Sequence, residues 1–247
     1  MRKRSIISIL IILPLLAMAC ASLPVLTLNV TRGSGKVISE PRDVKDFQSV
    51  TLSGSGDLII TQGDSEALRI EAEDNLMPLI ESDVRAGTLY LGFKPNSGSI
   101  TTNVPVKYYL SVKNLFGVDL EGSGSVSADN LKAGNMAIIL TGSGSVDIKV
   151  LTADTLKVTI SGSGNTRLAG MVGHQTVELD GSGTYDASSL DTQQATAILT
   201  GSGNMTIWAK DSLNITISGS GNVNYYGKPT VNQIVSGTGN INSLGDK

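Results

Sequence analysis

Cysteine occurs once in the 247-residue chain, at Cys20, so no intramolecular disulfide forms even outside the cytoplasm. Histidine also occurs once, at His174, and aromatic residues amount to only 4%. Charged residues are scarce at 17%, with 19 Lys and Arg against 22 Asp and Glu. That balance lacks the basic surplus on which counterion release depends, which sets nucleic acid aside as a partner. No long stretch sustains a helical apolar period, so a helical protein is excluded. The apolar run from Ile6 to Leu16 contains Ser8 and Pro14 and falls well short of the about 20 residues that a spanning helix requires.

What is present begins with an address. Met1-Arg2-Lys3-Arg4, the apolar run and Ala17-Met18-Ala19 follow the order of a charged n-region, an h-region and a small-residue cleavage site. Residues 1–19 therefore read as a signal peptide. Leu16-Ala17-Met18-Ala19-Cys20 resembles the bacterial lipobox, in which the cysteine takes a diacylglycerol and becomes the first mature residue. The expected product is an exported protein, lipid-anchored in the cell envelope through Cys20. Each buried CH₂ of its acyl chains contributes about 0.8 kcal/mol to membrane attachment. Ala21 follows the cysteine where an Asp would signal retention, so a two-membrane cell would pass the protein to its outer membrane or surface. Cleavage removes three cations and no anion, leaving a net charge of about −6. Residues 20–43 read as a tether.

The rest of the chain is organised by one short motif. Gly-Ser-Gly recurs with its first glycine at Gly122, Gly142, Gly162, Gly181, Gly201 and Gly219, and Gly-Thr-Gly follows at Gly237. The second glycines are Gly124, Gly144, Gly164, Gly183, Gly203, Gly221 and Gly239. The steps are 18 to 20 residues, and earlier copies stand at Gly54 with Gly56 and at Gly33. The sixteen motif glycines of the copies from Gly54 to Gly239 are expected to be structural residues of the repeat. Aligned on them, the position two before the motif reads Leu52, Leu120, Leu140, Ile160, Leu179, Leu199, Ile217 and Val235. Four before, the column reads Val50, Val118, Ile138, Val158, Val177, Ala197, Ile215 and Gln233. Two after the motif it reads Leu58, Val126, Val146, Thr166, Tyr185, Met205, Val223 and Ile241. Alternation at period two on both sides implies two short strands per repeat, each with one buried face.

Apolar columns in register over an 18–20 residue unit predict an all-β parallel β-solenoid, its coils rising about 4.8 Å each. Thr141, Ser143 and Asp147 are expected to face solvent. Gly142 and Gly144 are expected on the buried face, unless the motif is a bulge in which glycine takes positive φ. The period breaks over residues 57–121, and 44–121 is expected to be a first coil with elaborated strands or a cap, followed by repeat coils over 122–247. Within it Asp74–Ile80 is expected to form a short helix capped by Asp74 or Asn75. Gly87–Gly92 and Tyr108–Val112 read as longer strands.

A wider match then appears. It runs through Phe47-Gln48-Ser49-Val50-Thr51-Leu52-Ser53-Gly54-Ser55-Gly56-Asp57-Leu58, Gln62-Gly63-Asp64, Ile70–Leu76 and Ser218–Gly227. The chain resembles the bacterial family named putative auto-transporter adhesin, head GIN domain, from about Gly33 onward. The resemblance implies a right-handed parallel β-helix in exported envelope proteins, and it supplies no catalytic residues. No membrane-barrel segment follows the repeats, so lipid anchoring is expected in place of a barrel.

Sets of residues that would support catalysis are missing as well. Ser55, Ser123, Ser143, Ser163, Ser182, Ser202 and Ser220 with Thr238 would stack as a ladder, but a nucleophile needs a base and His174, in what reads as a loop, is alone. They read as small corner residues. The position after the motif is Asp57, Ser125, Ser145, Asn165, Thr184, Asn204, Asn222 and Asn240, and one carboxylate in eight does not make a calcium roll. Gly33-Ser34-Gly35-Lys36 lacks the full phosphate-loop pattern and reads as linker. Asp119, Asp147, Glu178 and Asp186 are expected in different columns, which leaves no carboxylate pair for glycoside chemistry. The expectation is a non-enzymatic surface protein without metal or cofactor, a structural or adhesin-like module. Its partners would be the membrane, a glycan, a surface protein or another copy of itself. A carbohydrate-active β-helix enzyme and an envelope sensor are the alternatives.

Overall fold

A computed structural model describes residues 30–247; the signal segment and Cys20 lie outside these described residues. Among them the protein is all-β, and its one helical element is the 3₁₀ turn Met77–Leu79. Strands stack in parallel into a β-solenoid, and each motif glycine lies beside the one from the coil before. Gly117–Gly122 pairs in register with Ser49–Gly54 on one side and with residues 137–142 on the other. The 68-residue interval between Gly54 and Gly122 therefore vanishes in space: the two coils are neighbours.

The core is made by the predicted columns. Leu52, Leu120, Leu140, Ile160, Leu179, Leu199 and Ile217 are all buried, as are Val50 through Ile215 in the second column and Leu58 through Val223 in the third. Val235, in the last copy, is exposed at the end of the stack. Thr141, Ser143 and Asp147 are exposed. The strands are fewer and longer than the two per repeat expected. Ser145–Gly162 and Thr184–Gly201 each run as one strand from corner to corner. Their alternation breaks at Lys149 and Val150, at Asp154 and Thr155, at Ser188 and Ser189, and at Gln193 and Gln194, where successive residues stay outside. Those breaks are bends, so each of these coils has three faces. The middle face carries Leu131, Leu151 and Leu190 with Ala133, Ala153, Val172 and Ala209. Its small side chains and the register slips between coils hide it from glycine-based alignment.

The motif combines both expected accounts, one at each glycine. Gly142 adopts φ +116° at the corner, a conformation that L residues avoid. The first glycine of every other copy from Gly54 to Gly237 does the same, whereas among the second glycines of these copies only Gly56 has positive φ. The bulge account therefore fails for Gly124, Gly144, Gly164, Gly183, Gly203, Gly221 and Gly239, and close approach of the backbone is what requires glycine there. Gly144 is buried, and a Cβ on it would stand 2.6 Å from the Gly124 carbonyl oxygen and 2.8 Å from Leu120 Cδ2. On Gly164 and Gly183 the added Cβ would stand 2.8 and 2.4 Å from the carbonyl oxygen one coil below, and on Gly203, Gly221 and Gly239 at 2.6, 2.2 and 2.4 Å. Gly239 differs in being only half-buried, since it lies in the last coil. The corner is a ladder in its own right. The Gly122 carbonyl accepts from both Ser143 N–H and Gly144 N–H at 2.9 Å, and the same pairing recurs on Gly54, Gly162, Gly181, Gly201 and Gly219.

Residues 63–116 leave the stack and cap it. Thr88–Phe93 and Lys107–Val112 pair in parallel beneath Ser49–Gly54 and Asp57–Gln62, forming a layer below the Gly54 coil. Ile80–Arg85 and Ala67–Glu73 then pair antiparallel to that layer, and Val37–Arg42 pairs antiparallel to Ala67–Glu73. A change of strand direction thus covers the edge that a parallel stack would expose. The segment Val30–Arg42, within the expected tether, carries two of these strands, Val30–Arg32 on Ser99–Thr101 and Val37–Arg42. The expected helix over Asp74–Ile80 is only the 3₁₀ turn, with Leu76 at its start and no side-chain cap. Asp74 and Asn75 are spent elsewhere: Asp74 accepts from Ser34 Oγ at 2.6 Å, and Asn75 accepts from Ser34 N–H at 2.9 Å. Thr88–Phe93 and Lys107–Val112 are six-residue strands, shorter than the corner-to-corner strands such as Ser145–Gly162.

Candidate functional site

Where the capping segment rejoins the stack, the middle face of the Gly54 coil is missing, and the surface steps down. Gln62 covers part of the exposed strand edge. Its side-chain amide donates to the Lys132 carbonyl at 3.0 Å and accepts from Lys132 N–H at 2.7 Å, reproducing the two bonds of a ladder partner. Beside it lies an open groove of about 660 Å³ walled by Asp64, Asn114, Asn130, Lys132 and Asp154. A second hollow of about 520 Å³ continues past Met136, Leu156, Lys157 and His174. A third, about 320 Å³, lies over Thr51, Tyr90, Asp119 and Ile139.

Phe116 borders all three hollows and is 42% exposed. Its backbone is pinned, with N–H donating to Gln48 at 2.7 Å and the carbonyl accepting from Ala137 at 2.8 Å. By register Phe116 stands where Met136 and Leu156 turn inward in later coils, yet here the preceding residue, Leu115, is the buried one. The chain enters this coil from the cap rather than from a middle face, and the changed approach turns Phe116 outward. Nearby, Asp119 Oδ1 is buried without a hydrogen-bond partner. Burial, and then the charge of Glu121, hold its carboxyl above the ordinary range.

The residues singled out by sequence take varied places. The motif serines and Thr238 are exposed, and Thr238 Oγ1 donates to Ser220 Oγ at 3.0 Å. His174 lies within the strand Asn165–Gly181, not in a loop, and lines the second hollow away from the serine ladder. The positions after the motif do stack: Ser125 Oγ donates to Asp57 at 2.6 Å, and Asn222 to Asn204 at 3.0 Å. The carboxylates need a correction, because register puts Asp119 and Glu178 in one column and Asp147 and Asp186 in another. Both members of each couple stand at the same offset from their glycines. Neither couple is in contact: Ile139 and Thr159 separate the first, and Arg167 separates the second, with Nε 3.4 Å from Asp186. Among the described residues no group of three His, Cys, Asp or Glu converges as a metal site.

Gly33-Ser34-Gly35-Lys36 is not linker but a cradle for the chain's own carboxylate. Gly35 N–H donates to Glu73 at 2.6 Å, and Asn103 donates to it through both backbone and side chain, at 3.0 and 3.1 Å. Burial opposes the charge of Glu73, yet these donors prevail and hold its carboxyl below the usual range. A Cβ on Gly33 would collide with that carboxylate.

The model of the family described as putative auto-transporter adhesin, head GIN domain, matches residues 46–229. The chain belongs to that family. The GIN-domain fold is shared with solved structures. A protein from Bacteroides fragilis described as a putative adhesin is 26% identical, with TM-score 0.80, over 86% of this chain and 99% of that one. A Parabacteroides distasonis protein described as a putative lipid binding protein is 24% identical, with TM-score 0.74, over 87% and 99%. A Parabacteroides merdae protein described as a putative adhesin is 23% identical, with TM-score 0.68, over 87% and 99%. No curated protein matches the chain in sequence. The stretches Phe47–Leu58, Gln62–Asp64, Ile70–Leu76 and Ser218–Gly227 announced this membership, whereas nothing in the sequence flagged Phe116: counting by twos from Leu120 places it inside.

Proposed function

We propose that this GIN-domain chain is an adhesin-like surface protein that acts by binding rather than turnover, anchored by acyl chains on Cys20, and that it holds a surface glycan along the groove at Phe116. The observation that carries the reading is Phe116 itself, an aromatic ring on a pinned backbone where three open hollows meet. Around it stand amides, carboxylates and an amine, in Gln62, Asn114, Asn130, Asp64, Asp154 and Lys132. A shallow groove of mixed polar and apolar lining, with one ring on its border, suits a polyhydroxylated chain that packs a C–H face on the ring and hydrogen-bonds at its edges. The adhesin description of the family and of the Bacteroides fragilis structure supports the same role.

The experiment is a glycan array probed with a Cys20→Ser soluble form and its Phe116→Ala variant. Binding that falls at least tenfold in Phe116→Ala, with an unchanged melting temperature, is expected; equal binding by both rejects the groove. Release of shortened product from any bound glycan would reject the non-enzymatic reading. Anchoring is tested separately: Cys20→Ala should lose labelled palmitate and leave the membrane fraction, and a variant that stays membrane-bound overturns the lipoprotein assignment.

A further inference from the structure

Far from this groove, the chain's only tryptophan stands on the outer surface of the stack. Trp208 pairs in register with Asp191 on one side and with Tyr226 on the other, so the two rings project from neighbouring coils in one outward column. The coil that carries Trp208 is shorter than the one before it. Register jumps from the pair Ala187 and Ile207 to the pair Asp191 and Trp208, so Ser188, Ser189 and Leu190 have no partner in the shorter coil; Leu190 turns into the core, and the carbonyl of Ser188 is left without a strand partner there. The ammonium of Lys247 lies 5.4 Å from the Trp208 ring centre and 4.9 Å from that of Tyr226, and it donates to the Ser188 carbonyl. Both rings therefore address the Lys247 ammonium, whose position a backbone carbonyl completes; Lys210, paired with Asp191, stands farther off, its ammonium 5.7 Å from the Trp208 ring centre.

The neighbouring charges are already matched. Lys210 pairs with Asp191 at 2.6 Å, and Lys228 pairs with Asp246. Among the described residues no carboxylate pairs with Lys247, whose charge is met by the rings and the carbonyl alone. Its backbone is brought there by a short strap. Leu244 N–H donates to Tyr225 at 2.8 Å, and the Gly245 carbonyl accepts from Gly227 N–H at 2.9 Å.

We propose that Trp208, Tyr226 and the Ser188 carbonyl form a binding site for an organic ammonium group, of the choline or ethanolamine class, and that Lys247 occupies it as an internal competitor. A cation facing two ring faces gains from their quadrupoles, and a methylated ammonium, which is weakly hydrated, loses little on leaving water. An occupant tethered to the same chain weakens apparent affinity by the fraction of time it fills the site. Displacement of the strap thus frees the platform.

The single Trp makes the site directly readable by fluorescence. Soluble full-length chain, its Lys247→Ala variant and a Lys247→Ala, Tyr226→Leu double variant are titrated with choline chloride, and in parallel with 3,3-dimethylbutanol, its uncharged isostere. Saturable change with choline but not with the isostere is expected, tighter by about tenfold in Lys247→Ala, the equivalent of ~1.4 kcal/mol for two ring contacts. The double variant should lose the response. Vesicles of phosphatidylcholine against phosphatidylglycerol identify the source: a response to the former assigns a lipid headgroup, and a response to free choline alone assigns a soluble ligand. No saturable change in Lys247→Ala with an intact circular dichroism spectrum overturns the proposal. So does an equal response to the isostere.

Discussion

Replacing Gly144 by Ala tests the corner that joins every coil to the next. The new Cβ would stand 2.6 Å from the Gly124 carbonyl oxygen, 2.8 Å from Leu120 Cδ2 and 3.3 Å from Leu120 Cγ. The leucine has no free direction, because it is fully buried, and the carbonyl accepts Ser145 N–H at 3.0 Å. Relief to ordinary contact distance requires the two coils to part locally by about 0.8 Å, which strains that bond and its neighbours. Overpacking of this kind costs about 1–3 kcal/mol, and loss of the strained hydrogen bond adds about 1 kcal/mol. Gly142→Ala meets a similar clash, 2.5 Å from the Gly122 oxygen, and carries in addition the strain of φ +116° for a residue with a Cβ. That strain is worth about 1–3 kcal/mol. Ser143→Ala trims an exposed hydroxyl and should change stability by less than about 0.5 kcal/mol. The expected order of loss is Gly142→Ala, then Gly144→Ala, then Ser143→Ala. Urea melts of the soluble form measure it as shifts in midpoint at constant slope. A Ser143→Ala loss equal to that of Gly144→Ala would refute the reasoning, since it would require a buried, bonded serine.

Two buried tyrosines should respond oppositely to loss of the hydroxyl. Tyr185 donates to Gln175 Oε1 at 2.8 Å, and Gln175 donates to Thr192 at 2.7 Å, so Tyr185→Phe strands an acceptor and should cost about 1–3 kcal/mol in urea melts. Tyr108 Oη is buried with no partner, so Tyr108→Phe should be neutral or stabilising. Glu73, held below its unfolded pKa of about 4.3, stabilises fully above that value and loses its contribution as pH falls through the folded pKa. Glu73→Gln should therefore melt lower than wild type at neutral pH, and the gap should close on acidification; a constant gap would contradict the cradle. Asp119 carries the opposite sign. Its folded pKa is raised, so ionisation weakens the fold as pH rises, and Asp119→Asn should raise the melting temperature at pH 7 while leaving it unchanged in acid.

The solenoid and its inner columns were legible because each coil meets the same physical demand. Every corner sets a carbonyl against the place where a Cβ would be, and every inner slot faces an identical slot one coil away. A requirement repeated eight times leaves a periodic mark, from Gly54 to Gly237, that no single residue would show. The inward Leu and Val columns carried the same redundancy. What arises once leaves no such mark. The return of residues 63–116 as an antiparallel cap depends on strand partners far apart in the chain, and the cap in turn puts Leu115 inside and Phe116 outside. Glu73 found its donors in Gly35 and Asn103 through the same fold-back. Trp208, Tyr226 and Lys247 meet only because a shortened coil exposes one ring beside the other and a strap delivers the amine. Composition and period determined the stack by themselves. Three-dimensional pairing alone decided where that stack presents rings and charges to a ligand, because those contacts join positions that share neither a period nor a neighbourhood in the chain.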